Sequence, residues 1–188
     1  MTQDEGRFGR VNIPRSCWAP KQVRPLVAKQ VVRESFYVYA GICQKLGRIS
    51  SLILPYANTE MMNLFLENVS NEFKEFEIIM QLDGAGWHKA KGLKIPSNIH
   101  FLQQPPYSPE VNPTEHLWDE IREKYLHNKI FDSLAETMEV VCRGINELNA
   151  KPEYGAVSKV ETVFFFIGYC NKNKKKKICR NVYFFVSL

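Results

Sequence analysis

The stretch FLQQPPYSPEVNPTEHLW, residues 101–118, constrains how the rest of this chain can be arranged. Four prolines between positions 105 and 113 fix φ and remove backbone donors, so the segment has few conformations to lose on folding. Asn112 is a favourable N-cap, Pro113 suits the first helical position, and Glu115 follows three residues after the cap. The stretch therefore predicts a rigid loop that delivers Glu115 into the first turn of a helix.

Two further acidic residues stand where other predicted elements end. The apolar run IIMQL stops at Asp83 and is followed by the glycine-containing sequence GAGWH, which indicates a buried strand and then a turn. Asp4 lies in QDEGRFGR near the amino terminus, where the strand expected before it is barely present. Three acidic residues are thus predicted at the ends of separate elements.

The remaining pattern predicts a pair of strands and then alternating strands and helices. Aromatic and β-branched residues mark strands at 35–43 and 48–55, which a short turn joins into a hairpin. Apolar spacing predicts helices at about 58–73, 113–128 and 133–148, with short strands at 77–82 and 99–102. This order is typical of an α/β fold, a mixed sheet flanked by helices.

Composition restricts the class of protein. A chain of 188 residues can bury one sizeable core, and its 45% hydrophobic and 12% aromatic content is that of a globular protein. No run approaches the ~20 apolar residues of a membrane span, and the opening TQDEGR lacks the apolar centre of a secretory signal. The five cysteines are scattered and form no C-x-x-C pair, so reduced thiols are expected rather than a zinc site.

The net charge of +5 is distributed unevenly along the chain. Residues 1–50 hold nine Lys and Arg against three Asp and Glu, and residues 51–170 hold ten against seventeen. Residues 171–188 hold six basic and no acidic side chains. A basic first third beside an acidic centre suits a protein that holds a polyanion on one side and cations in a pocket. Ordinary surface charge is the alternative that composition leaves open.

The series QDEGRFG, DGAGWHKAK and LQQPPYSPEVNPTEHLW carries a resemblance over about residues 3–148. These three motifs, in this order, are similar to the catalytic domain of mariner-type insertion-sequence transposases, which belong to the DDE endonuclease superfamily. The most specific part is PPYSPEVNPTEHLW. The resemblance implies a ribonuclease H-like catalytic domain over residues 1–155, with its first strand truncated, and an Asp, Asp, Glu catalytic set. Asp4, Asp83 and Glu115 stand at the matching positions, and the spacing of the last two is close to the family's low thirties.

The resemblance implies that these three residues are the catalytic groups and that they bind two Mg²⁺ or Mn²⁺ ions. Breaking or transferring a DNA phosphodiester needs a hydroxyl nucleophile and neutralisation of charge on the phosphate, which two divalent ions ~3.5–4 Å apart supply. Such ions prefer carboxylate oxygens, so two or three acidic residues from separate elements suffice. Locally each residue also has an ordinary explanation. Asp4 could be a solvated terminal residue, Asp83 a turn aspartate and Glu115 half of a capping box.

Six residues are candidates for contact with DNA, namely Arg7, Trp18, Lys21, Arg24, His88 and Lys89. Trp18 stands among basic residues in a predicted loop, where it could stack on or clamp DNA, and a packing tryptophan is the alternative. His88 follows Asp83 by five residues, where similar transposases often carry His. It either touches phosphate, tunes the metal pocket or makes a structural hydrogen bond.

Some features depart from the family's pattern. Transposases of this type carry helix-turn-helix modules ahead of the first aspartate, which recognise the terminal repeats, and this region is absent here. Gly84 stands where the family usually has Asn. Residues 156–188, with aromatic runs around NKNKKKK, show neither the family pattern nor a helical period. An out-of-frame or read-through extension, or a basic nucleic-acid arm, would account for this tail.

The resemblance therefore implies a transposase catalytic domain that cleaves and transfers strands of double-stranded DNA. It implies a homodimer, or a separate chain that carries the helix-turn-helix domain, and a cytoplasmic, nucleoid-associated location. A catalytically inactive remnant, or a module that only binds DNA or dimerises, is the alternative from a different class. A generic ribonuclease H-like nuclease is a third reading, against which the proline-loop motif argues.

Overall fold

The computed structural model describes residues 1–105 and 112–150, and the two pairs 164–165 and 183–184. Most of the proline loop and most of the predicted tail lie outside these residues. The strands are β1 Thr2–Val11, β2 Val31–Cys43, β3 Arg48–Leu54, β4 Ile78–Leu82, β5 Ile99–Gln103, β6 Phe164–Phe165 and β7 Tyr183–Phe184. The helices are α1 Thr59–Glu72, α2 Pro113–Ile121 and α3 Leu134–Asn149, with a 3₁₀ turn at Gly86–Lys89 and a π-helical turn at Arg122–Leu126.

One mixed sheet organises the molecule, in the strand order β5-β4-β1-β2-β3-β6-β7. β1, β2 and β3 are antiparallel neighbours, with Asp4 opposite Ala40. β4 lies parallel to β1, with Thr2 opposite Gln81, and β5 continues in parallel beside β4. The amino-terminal strand is therefore central, because its two edges join the antiparallel and parallel halves of the sheet.

The sheet separates two cores. On one face α2 and α3 cover a cluster centred on Phe8, Phe36 and Trp118, and on the other α1 covers a cluster centred on Tyr39, Phe65 and Met80. Residues of a strand alternate between faces. Asp4 consequently points towards α2, while Glu5, the next residue, lies on the α1 side.

Helix α2 begins as the sequence predicts. The Asn112 side chain accepts a hydrogen bond from the Thr114 amide, and Pro113 occupies the first helical position. Leu117, Trp118 and Ile121 are buried, as the apolar spacing indicates. In the parts of the chain that the structure covers, no helix is long and apolar enough to cross a membrane.

Glycine at position 6 lets α2 approach β1 closely. A Cβ atom at this position would lie 2.7 Å from Cδ2 of Trp118 and 2.8 Å from Cε2 of Phe8. Real Cβ atoms essentially never approach this closely, so the indole of Trp118 occupies the space that any larger residue would need. The absence of a side chain at Gly6 thus sets the depth at which the Glu115-bearing helix lies on the sheet.

The hairpin of β2 and β3, helices α1 and α3 and strands β4 and β5 confirm the predicted elements to within a few residues. One prediction is wrong. Asp4 does not follow a strand but lies inside β1, because residues on both sides of it pair with β2. The helix predicted to about residue 128 is α-helical to Ile121 and continues as a wider π-helical turn to Leu126, where the Tyr125 ring lies against Gly144 of α3.

Candidate active site

Asp4 is a partly buried carboxylate held against helix α2. The indole Nε1 of Trp118 donates a hydrogen bond to Asp4 Oδ2 over 3.0 Å. Burial is the largest influence on this carboxyl and raises its pKa to about 6. Hydrogen bonds from Trp118 and the Glu5 backbone oppose the rise, while the negative charges of Glu115 and Glu5 add to it.

Glu115 lies one turn before Trp118 on α2 and is exposed. Residues three apart on a helix are neighbours on its surface, so the Trp118 contact also brings Glu115 towards Asp4. The Thr114 hydroxyl donates to the Thr2 carbonyl over 3.3 Å, which fixes the start of α2 to the start of β1. The influence of Glu115 on the pKa of Asp4 follows from this arrangement. Two of the three predicted carboxylates are therefore close enough to interact.

Asp83 is the first residue after β4. The parallel pair Thr2 and Gln81 lies two residues before Asp4 and Asp83, respectively, so Asp83 follows the end of β4 at the level of Asp4 on the neighbouring β1. Such strands lie ~4.8 Å apart. Asp83 Oδ1 accepts a hydrogen bond from the Ala85 amide over 2.8 Å, which forms a local turn, and the side chain is 52% exposed.

His88 connects Asp83 to β1. Its side chain is 1% exposed, with Nδ1 3.0 Å from Asp83 Oδ1 and 3.2 Å from the Asp83 carbonyl oxygen. On the other side, Nε2 lies 3.2 Å from Oε1 of Glu5, whose side chain is 6% exposed. Burial of the ring lowers the pKa of His88, but the hydrogen bond and charge of Glu5, with the carbonyl and charge of Asp83, outweigh it and raise the pKa above its ordinary value.

The carboxylates suit a divalent cation, although they do not form a complete metal cluster. Within residues 1–105 and 112–150, no group of three or more His, Cys, Asp and Glu side chains is arranged to hold a metal. Asp4 and Glu115 interact, whereas an oxygen of Asp83 is turned to Ala85 and His88. Carboxylate oxygens are the ligands that Mg²⁺ and Mn²⁺ prefer. A cation beside Asp4 would also relieve the repulsion that contributes to its raised pKa.

Most of the residues predicted to touch DNA are exposed. Trp18, Lys21 and Arg24 lie on the loop between β1 and β2, and Trp18 is 104% exposed, so it packs against none of the residues that the structure describes. Arg7 is also exposed, and its Nε donates to Ser35 Oγ over 3.1 Å. His88 is buried and contacts Asp83 and Glu5, so a structural hydrogen bond is present, while its contact with phosphate or effect on the metal pocket stays a prediction. Lys89 belongs to the 3₁₀ turn, and its side chain lies outside the described atoms.

Sequence reasoning missed three features of the structure. Glu5 was not singled out, although alternation along β1 places it on the face opposite Asp4. The apolar spacing of α2 explains why Trp118 is buried, but it does not indicate that its indole N–H donates to Asp4. The spacing of Glu115 and Trp118 is the signal that could have identified this contact. A basic pocket of about 180 Å³ was also missed. Its lining includes Arg7, Arg15, Arg122 and Lys129.

Comparison with known proteins places this arrangement in a family. Residues 1–138 match the sequence model of the DDE superfamily endonucleases, and the chain belongs to that family. An uncharacterized protein, y4pE/y4sA of Sinorhizobium fredii (strain NBRC 101917 / NGR234), is 34% identical over 117 residues. That match covers 62% of this chain and 87% of the relative.

Two solved structures show the same fold. The Mos1 transposase paired-end complex with left transposon end superposes with a TM-score of 0.54 at 16% identity, covering 79% of this chain and 51% of that one. The Mos1 mariner paired end complex with Mn gives a TM-score of 0.55 at 15% identity, covering 84% and 56%. The chain therefore spans about half the length of these transposase chains. The predicted ribonuclease H-like α/β fold is confirmed.

Proposed function

We propose that this chain carries the catalytic site of an insertion-sequence transposase, which cleaves DNA strands and joins them to a target. The observation that carries the proposal is the pair of hydrogen bonds from Trp118 to Asp4 and from Thr114 to Thr2, which hold the first turns of α2, with Glu115, beside the half-buried Asp4 on β1. Asp83 at the end of the parallel neighbour β4 completes the set of acidic residues. Membership of the DDE endonuclease family supports this assignment, as does the similarity in fold to Mos1 transposase complexes, one with a transposon end and one with Mn.

The chain's own residues would bind the metal ions and hold the acidic ligands in position. Asp4, Asp83 and Glu115 would hold two divalent ions, Mg²⁺ or Mn²⁺, which when bound activate a hydroxyl nucleophile and neutralise charge on the phosphate. Trp118 keeps the Asp4 carboxylate oriented through Oδ2, and Thr114 keeps the first turn of α2 at the start of β1. Water would first hydrolyse a phosphodiester and release a 3′-hydroxyl at a DNA end. That hydroxyl would then attack a phosphodiester of the target strand, forming a new phosphorus–oxygen bond as the 3′-oxygen of the target leaves.

The function implies particular partners. Double-stranded DNA, as element ends and as target, is the proposed substrate, and its negative backbone suits the exposed basic residues of the β1–β2 loop. We infer that the chain acts as a homodimer or with a separate chain that supplies the helix-turn-helix domain, in the nucleoid-associated part of the cytoplasm. The assignment of residues 1–155 to the catalytic domain, with a separate tail at 156–188, stays a prediction.

The test is nicking of short duplex and pre-nicked DNA by the purified chain in Mn²⁺. Asp83→Asn is expected to reduce cleavage at least about 100-fold, because the substituted amide is a poorer ligand for a hard cation and lacks the carboxylate charge. Asp132→Asn, a change at an exposed aspartate outside the site, is the matched control and should cleave as the parent does. Equal cleavage by Asp83→Asn and the parent would overturn the assignment.

A second function is favoured by the incomplete grouping of the three carboxylates in the described residues. In that case the chain is a catalytically inactive remnant that binds DNA or dimerises with a full-length transposase. The same experiment separates the two. A folded parent that binds duplex DNA with strong salt dependence, yet never cleaves it, identifies the binding module.

A further inference from the structure

We propose that Glu5 and His88 are positioning residues that fix the Asp83 carboxylate relative to β1, the strand that carries Asp4. The effect of this positioning on metal binding rests on the proposed function. The contacts among Glu5, His88 and Asp83 do not, because they are present in the chain without any ion.

The contacts join segments that are far apart in sequence. His88 approaches Asp83 Oδ1 at 3.0 Å with one ring nitrogen and Glu5 Oε1 at 3.2 Å with the other. Glu5 Oε1 also accepts a hydrogen bond of 2.9 Å from Gln3 Nε2. The loop after β4 is thereby connected to two residues of β1 that lie on either side of Asp4.

Burial explains why these contacts restrict motion. The side chains of His88 and Glu5 are 1% and 6% exposed, so water cannot readily replace either partner. A buried charged or polar group that loses its partner bears its full desolvation cost. The imidazole is therefore confined between the two carboxylates and cannot rotate away at little cost.

Asp83 needs such support because its own surroundings are open. Its side chain is 52% exposed, and the Ala85 amide contacts the same oxygen, Oδ1, that His88 approaches. Without His88, the local turn alone would hold a half-exposed carboxylate beyond the end of its strand. Hydrogen-bond partners that orient a metal ligand commonly change metal affinity 10–100-fold when removed.

The test measures Mn²⁺ affinity by electron paramagnetic resonance of the free ion, with no DNA present. His88→Phe keeps a ring but removes both contacts, and it is expected to weaken Mn²⁺ binding by about 10-fold or more. His88→Asn, whose amide can still donate to Asp83, should recover most of that loss. His100→Phe is the matched control, because His100 forms a similar pair with Glu77 at 2.8 Å but is exposed. It should bind as the parent does.

Glu5→Met keeps about the size of the buried side chain but removes the oxygen that contacts His88, and it decides the matter if His88→Phe does not fold. A folded His88→Phe or Glu5→Met protein with the parent's Mn²⁺ affinity would overturn the proposal. A loss that His88→Asn does not recover would show that general packing, not the contact with Asp83, is responsible, and would overturn it as well.

A readout without metal separates this proposal from the proposed function. In the metal-free chain, Glu5→Met should shift the carboxyl ¹³C resonance of Asp83 and leave that of Asp132 unchanged. If the parent binds no Mn²⁺ but this shift is seen, the proposed function fails and the positioning contact stands. If the Asp83 resonance does not move, the positioning proposal fails whatever the chain does with metal.

Discussion

Individual residues in this site are used for two purposes, structural and chemical. Trp118 fills the space above Gly6 and packs edge-on against the Phe8 ring, with 5.6 Å between the ring centroids. Its indole N–H also donates a hydrogen bond to Asp4. A buried tryptophan usually satisfies its N–H with a partner, and here that partner is a carboxylate. The orientation of Asp4 is consequently tied to the packing of the core below α2.

The raised pKa of Asp4 predicts an effect on stability. The pKa is about 6 in the folded chain against an ordinary 3.8, so the folded state binds the proton more tightly than the unfolded state does. Stability contributed by this group is fully present below about pH 4 and is lost as the pH rises through about 6. In metal-free buffer, Asp4→Asn should therefore stabilise the chain at pH 7.5 by about 1–2 kcal/mol and by much less at pH 4.

Urea unfolding at the two pH values, with chelator present, measures this difference. The amide can still accept from Trp118, so the hydrogen bond is retained. A less stable Asp4→Asn protein at pH 7.5 would contradict the pKa shift. The same variant should lose Mn²⁺-dependent nicking, which would separate its effect on stability from its effect on function.

At the scale of elements, the seating of α2 on β1 decides where Glu115 lies. Thr114 contacts Thr2 at one end of the interface, and Arg122 lies over the Phe8 ring, 5.3 Å from its centroid, at the other. The helix and strand therefore run in the same direction along their shared surface. Glu115 reaches the level of Asp4 because both elements start together.

Gly6→Ala should disturb this seating. The added methyl group would meet the Trp118 indole at 2.7 Å, and overpacking of this kind typically costs about 1–3 kcal/mol. We expect a lower melting temperature. We also expect weaker Mn²⁺ binding, because the methyl group would push α2, and Glu115 with it, away from β1. Gly92→Ala is the control, since its nearest neighbour would be Thr59 Cγ2 at 3.9 Å. Equal stability of the two variants would show that α2 can shift without cost.

At the scale of the whole molecule, the candidate site lies where the two halves of the sheet join. β1 pairs antiparallel with β2 and parallel with β4, and α2 covers it from one face. A metal ion at this junction would connect β1, the end of β4 and α2. Binding would thus be coupled to the stability of the entire fold.

Divalent metal should accordingly stabilise the parent chain. A ligand that binds only the folded state adds about 2.7 kcal/mol when its concentration is 100 times its dissociation constant. Mn²⁺ is expected to raise the melting temperature of the parent in calorimetry and to leave that of Glu115→Gln nearly unchanged. If chelator and Mn²⁺ give the same melting temperature for the parent, the three acidic residues do not form a metal site in this chain.

The sequence by itself determined the α/β class and most element boundaries. Periodic apolar residues, the Asn112 cap and Pro113 act locally, and local signals can be read along the chain. The motif around Glu115 also identified the family. The extent of β1 was missed because a strand so close to the amino terminus is defined by its pairing with β2 rather than by a long apolar pattern.

Only the tertiary structure decided which side chains meet. Asp4 contacts Trp118 across 114 positions and Glu5 approaches His88 across 83, separations at which no periodicity in a single sequence indicates a contact. The sequence likewise gives no sign of the raised pKa of Asp4, because burial in the folded chain is its largest cause. A sequence specifies which groups are available, whereas the distances and the solvent exclusion that tune them arise only when the strands and helices pack together.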